Sequence, residues 1–102
     1  MIAQVAVLGT FRFPQDRIHD VLPHLKTVIE ATTRHDGCIA YDAALDPFEP
    51  GLIRFSELWP DHATLERHLA AAHMEPWRAA VKEYGGVAAG FTVYDVTNAK
   101  AL

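Results

Sequence analysis

A single cysteine, Cys38, in 102 residues excludes an internal disulfide framework and fits a reducing compartment. Cations are scarce as well: nine Lys and Arg stand against thirteen Asp and Glu, for a formal net charge of -4. With no basic stripe, nucleic acid is not expected as a partner, because phosphate binding needs clustered cations. No apolar run approaches the roughly 20 residues that cross a bilayer, so no membrane partner is expected either. The opening Met1-Ile2-Ala3-Gln4 has neither the basic start nor the small-residue cleavage site of a signal peptide, which sets the expectation of a cytoplasmic protein. Gly85-Gly86 and Gly90 match no phosphate or dinucleotide loop, and no serine sits in a nucleophile elbow. Nucleotide and flavin cofactors have no support, and none is expected.

What is present describes an ordinary globular chain. Half the residues are hydrophobic and 22% are charged, and the length allows one domain over residues 1–102. A chain this short buries only about two-thirds of its unfolded surface. A sheet face left apolar would gain by pairing with a second copy, so a homodimer is expected.

Along the chain, Ile2 to Phe13 reads as a first strand, with Val5, Val7 and Phe11 on one parity and Ile2, Ala6 and Leu8 on the other. After Pro14, Ile18, Val21, Leu22, Leu25, Val28 and Ile29 recur at helical spacing and Gly37 is the stop. Pro23 inside that pattern predicts a kink, or a helix whose regular part begins around Asp20. Cys38 to Leu45 and Leu52 to Trp59 read as two strands around the turn Asp46-Pro47-Phe48-Glu49-Pro50-Gly51. Asp61 is placed as a helix N-cap. Leu65, His68, Leu69 and Ala72 form one helical face, and Met74, Trp77, Val81 and Tyr84 continue it after a break near Ala70 to His73. Gly85-Gly86 ends the helical stretch, and Phe91 to Thr97 reads as a fourth strand. The order βαββαβ is that of a ferredoxin-like α+β two-layer sandwich, helices on one side of an antiparallel sheet.

The third strand and the helix after it hold the chemistry. Ile53, Phe55, Glu57 and Trp59 share a strand face, which sets a carboxylate between two aromatic rings. Burial there raises its pKa unless a donor or cation meets it. His68, on the apolar helix face, is aimed at the sheet, where a contact with Glu57 would orient the imidazole as a base. The alternative is a purely structural hydrogen bond between helix and sheet. His68 and His73 are five apart, about 140° around a continuous helix, which argues against a metal pair. Only a helix break could bring them together, with Glu57 as third ligand, and no metal is expected. His19, His24, His35 and His62 read as surface residues. Tyr41, Trp77, Phe91 and Tyr94 either line a pocket for a flat aromatic molecule or pack the core. Cys38 reads as a buried small strand residue, without the cationic neighbour of a catalytic thiol.

Gly37-Cys38-Ile39-Ala40-Tyr41, the Asp46-Pro47 turn, Glu57-Leu58-Trp59, and His68 followed by His73 together resemble the antibiotic biosynthesis monooxygenase domain, over roughly residues 3–84. The resemblance implies a ferredoxin-like fold that dimerises into a shared α/β barrel. It also implies oxygenation of a quinol-like or polycyclic aromatic compound without metal or flavin, the substrate anion itself reacting with O₂. A haem-degrading branch uses an Asn, a Trp and a His at positions that fall here on Leu8, His68 and Arg78, which disfavours that activity; Trp59 alone does not rescue it. A branch that isomerises a phosphorylated signalling sugar shares the Glu57, His68 and His73 pattern and is the alternative enzyme. A non-catalytic small-ligand-binding dimer is the competing class.

The resulting expectation is a cofactor-independent monooxygenase of a small phenolic or quinol compound. His68 is the candidate base and Glu57 its orienting group. Phe55, Trp59 and Trp77 are to shape the pocket, with His73 or Arg78 donating to the developing oxyanion.

Overall fold

The computed structural model describes residues 2–102; Met1, where the leader expectation began, lies outside them. The chain runs as β1 (Val5–Arg12), a single 3-10 turn (Gln15–Arg17), α1 (Ile18–His35), β2 (Ala40–Leu45), β3 (Leu52–Trp59), α2 (His62–Leu69), α3 (Met74–Glu83) and β4 (Val87–Asp95). The strands form one antiparallel sheet in the order β2-β3-β1-β4. This is the ferredoxin-like α+β arrangement, with its second helical unit split in two, and within one chain the sheet is open at both edges.

Register decides which face is buried. Val5 opposite Trp59 and Val7 opposite Glu57 bring the inward parities of β1 and β3 together. Against them pack Val21, Leu25 and Val28 of α1, Leu65 of α2, and Met74 and Trp77 of α3. The opposite face keeps Leu8, Leu58 and Tyr94 in solvent, and all of β4 is exposed.

Some local expectations shift. α1 begins at Ile18 rather than Asp20 and stays unbroken through Pro23. The proline deletes only the bond to His19, while four buried residues clamp the helix to the sheet. β4 starts at Val87, four residues before Phe91, and ends at Asp95. Leu8 pairs with Thr92 but Thr10 with Ala89, so β4 fits Gly90 and Phe91 opposite the single residue Gly9. That bulge breaks the alternation by which the strand was read. Cys38 lies just outside β2, half-buried, its thiol donating weakly to the Thr32 carbonyl. Among the described residues no helix is long and apolar enough to cross a membrane.

Candidate functional site

Between the sheet and the α2–α3 unit lies a cavity of about 290 Å³, at the lower edge of the volumes small-molecule sites occupy. One wall is aromatic: the Phe11 ring lies 5.5 Å from Phe55, 5.4 Å from Trp77 and 5.2 Å from Phe91. Gly9 makes that wall possible, because a Cβ there would stand 2.3 Å from the Phe91 ring. The polar groups reaching the cavity are Tyr41, Glu57, His68 and Arg78. Tyr41, Trp77 and Phe91 thus line it as expected, whereas Tyr94, paired with Ala6, belongs to the other sheet face.

His68 is delivered by α2. Asp61 caps that helix by accepting from the Thr64 N–H at 2.8 Å, and Leu65 and His68 face inward at three-residue spacing. The His68 ring, 2% exposed, lies 4.8 Å from the Trp59 ring and 5.1 Å from Tyr41. Its Nδ1–H donates to Asp36 Oδ2 at 2.6 Å, and His73 Nε2–H donates to the same oxygen at 2.8 Å. The helix breaks between the two histidines, so the separation argued for a continuous helix does not apply. Asp36 itself is the cap of α1, its backbone N–H on the Thr32 carbonyl. The turn is completed by Gly37 at φ +73°, a left-handed conformation that favours glycine. Burial lowers the His68 pKa below its ordinary value, with Asp36 pulling the other way. At pH 7 the imidazole is therefore neutral, as a base must be.

The expected contact between Glu57 and His68 is not made. Glu57 Oε1 accepts from Trp59 Nε1 at 2.9 Å, because alternate residues on a strand share a face and the carboxylate folds along it. The partner of His68 is Asp36. Burial pushes the Glu57 pKa up to about 7, against the indole N–H, which lowers it.

Of the remaining candidates, Phe55, Trp77 and Arg78 line the cavity, and Trp59 and His73 do not. Trp59 is wholly buried behind His68. Arg78 pairs with Glu75 at 2.6 Å and donates to the Leu69 carbonyl, closing the C-terminal end of α2. The donor atoms of Asp36, His68 and His73 lie within 4.8 Å of one another and are of the type that holds divalent metals. Glu57, the third ligand weighed from the sequence, is not in that group. Asp36 and Gly9 escaped the sequence reading. Asp36-Gly37 signalled only a turn, and Gly9 only a small residue in a strand.

The sequence profile described as "Antibiotic biosynthesis monooxygenase" matches residues 4–80. The chain belongs to the antibiotic biosynthesis monooxygenase family. Solved structures agree on the fold of the family. A candidate antibiotic biosynthesis monooxygenase from Deinococcus radiodurans superposes with a TM-score of 0.87 at 23% identity, covering 96% of this chain and 97% of that one. Another antibiotic biosynthesis monooxygenase is 28% identical with a TM-score of 0.72, covering 91% of this chain and 98% of that one. A conserved protein from Methanosarcina mazei Go1 gives 0.82 at 19% identity, covering 93% and 94%. No curated protein sequence matches the chain.

Proposed function

We propose that this chain is a cofactor-independent monooxygenase of a small phenolic or quinol-like aromatic compound. The observation that carries the reading is His68, fixed through Nδ1 while its ring borders an aromatic-walled cavity. A flat ring in the cavity packs against the wall formed by Phe11, Phe55 and Trp77, and its hydroxyl proton passes to His68 Nε2. Glu57, poised near neutrality, shares the hydroxyl's hydrogen bond. Arg78 at the cavity edge offers a positive charge to the anion. The electron-rich anion then reduces O₂. At a carbon that carries two hydrogens in the keto tautomer, one oxygen atom stays as a carbonyl. The other leaves with both hydrogens as water, so the balance needs no external reductant. A phosphosugar is a poorer fit: among the described residues Arg78 is the only Lys or Arg on these walls, whereas a phosphate dianion calls for several donors.

The proposal includes a homodimer, in the cytoplasm. Leu8, Leu58 and Tyr94 on the outer sheet face, with β4 uncovered, suit a second copy laid sheet to sheet into a barrel.

The test is oxygen uptake by the chelator-treated protein with a panel of hydroquinones and hydroxynaphthalenes. Expected is uptake that catalase does not reverse, since the reduced oxygen leaves as water rather than peroxide. His68→Ala is expected to lower kcat about 10²- to 10⁴-fold with the fold intact. Uptake that His68→Ala leaves unchanged removes His68 as base. No uptake on any compound moves the reading to the ligand-binding class.

A further inference from the structure

Asp36 and His73 are polar groups that the reaction above leaves unused, yet they converge on its base. Asp36 closes α1, His68 lies in the last turn of α2 and His73 precedes α3, and the two imidazoles meet on the single oxygen Oδ2. Asp36 and His68 have side chains 7% and 2% exposed, His73 26%. Neither Asp36 nor His73 lines the cavity, whereas His68 does. The carboxylate therefore stands behind the ring on its Nδ1 side, and Nε2 is left for the cavity. An acceptor at 2.6 Å keeps the proton on Nδ1 and the lone pair on Nε2.

We propose that Asp36 is a positioning residue for His68, locking its Nδ1–H tautomer and stabilising the imidazolium formed when Nε2 takes a proton, and that His73 holds Asp36 in place. This rests on the reading of His68 as the base. The substrate's hydroxyl proton goes to Nε2, Nδ1 keeps its own, and Asp36 stays a carboxylate throughout. The new positive charge then lies against a fixed negative one instead of standing alone among Tyr41, Trp59 and Leu65. The second hydrogen bond, from His73 to the same Oδ2 at 2.8 Å, further restrains the carboxylate in its place beside His68. The same three donors could instead close on a divalent cation, but that cation would lie behind the ring, away from the cavity.

The experiment is a long-range ¹H–¹⁵N correlation of the imidazoles in the whole, metal-free protein, repeated with one equivalent of Zn²⁺ and on two variants. Expected in the native protein is His68 protonated on Nδ1 and bare on Nε2. Asp36→Ala, which removes the acceptor altogether, is expected to lose that fixed tautomer. For any compound the native protein turns over, it is expected to lower kcat about 10²- to 10⁴-fold with KM little changed. Asp36→Glu, which keeps the carboxylate on a longer arm, is expected to retain the tautomer and recover part of kcat. The spectra need no substrate, so failure of the oxygenase reading leaves the tautomer test decidable. If Asp36→Ala does not fold, the native and Asp36→Glu spectra decide. A native proton on Nε2, a tautomer that survives Asp36→Ala or is lost in Asp36→Glu, or Zn²⁺ bound at Nδ1 at one equivalent overturns the proposal.

Discussion

Glu57 shows how one buried residue makes stability depend on pH. The residue is 5% exposed, and burial pushes its carboxyl pKa up to about 7 in the fold, against an ordinary 4.5. A folded pKa above the unfolded one favours the native state fully below about pH 4.5, and that advantage is lost as pH rises through 7. At about 1.4 kcal/mol per unit the loss amounts to roughly 3 kcal/mol. Glu57→Gln carries no such term, so relative to native it is expected to gain stability between pH 5 and 8, measured by denaturant unfolding at each pH. His68 has the opposite sign, its contribution present above pH 6.5 and lost as pH falls through its lowered folded pKa. Because His68 is present in both proteins, it cancels from the comparison. Gly9 acts through space instead. Gly9→Ala is expected to push the Phe91 ring from its place beside Phe11, cost about 1–3 kcal/mol and raise KM for an aromatic substrate. Thermal unfolding and substrate titration check both effects.

At the scale of elements, α2 carries the site and is only eight residues long. A helix this short is not stable by itself, so its cap and its buried face hold it. Asp61 accepts from both the backbone N–H and the hydroxyl of Thr64. Asp61→Ala is expected to cost about 1 kcal/mol, and to lower Tm by roughly 4–8 °C. The measurement is a thermal melt; an unchanged Tm means that packing of Leu65 and His68 alone holds the helix. The break after Leu69 matters as much as the cap. It turns the chain so that His73 also reaches Asp36 Oδ2, at 2.8 Å.

Over the whole molecule, the unbalanced feature is the sheet, covered by helices on one face and bare on the other. Leu8, on a central strand, is 49% exposed and Tyr94, on the edge strand, 48%, both on that bare face. Leu8→Asp is expected to turn a native dimer into a monomer in sedimentation velocity, with the site's own residues untouched. A native protein that sediments as a monomer removes the dimer. The cavity bears on the same question, since its Phe91 and Val93 wall is a strand edge that no helix of this chain covers.

The order of elements was legible in the sequence because each is specified locally. Apolar residues at period 3.6 built α1 and α2, alternation built β3, and Asp61, Gly37 and the Asp46–Gly51 turn punctuated them. Where local rules were interrupted, reading fell short: the bulge at Gly90 hid the start of β4, and α1 begins two residues before Asp20. His68 and Glu57 were visible as polar residues on apolar faces, a local oddity. Their partners were not. Asp36 lies 32 positions before His68, and only the packing of the end of α1 against α2 brings them within 2.6 Å. Periodicity tells which way a side chain points, whereas the tertiary structure decides what it meets there.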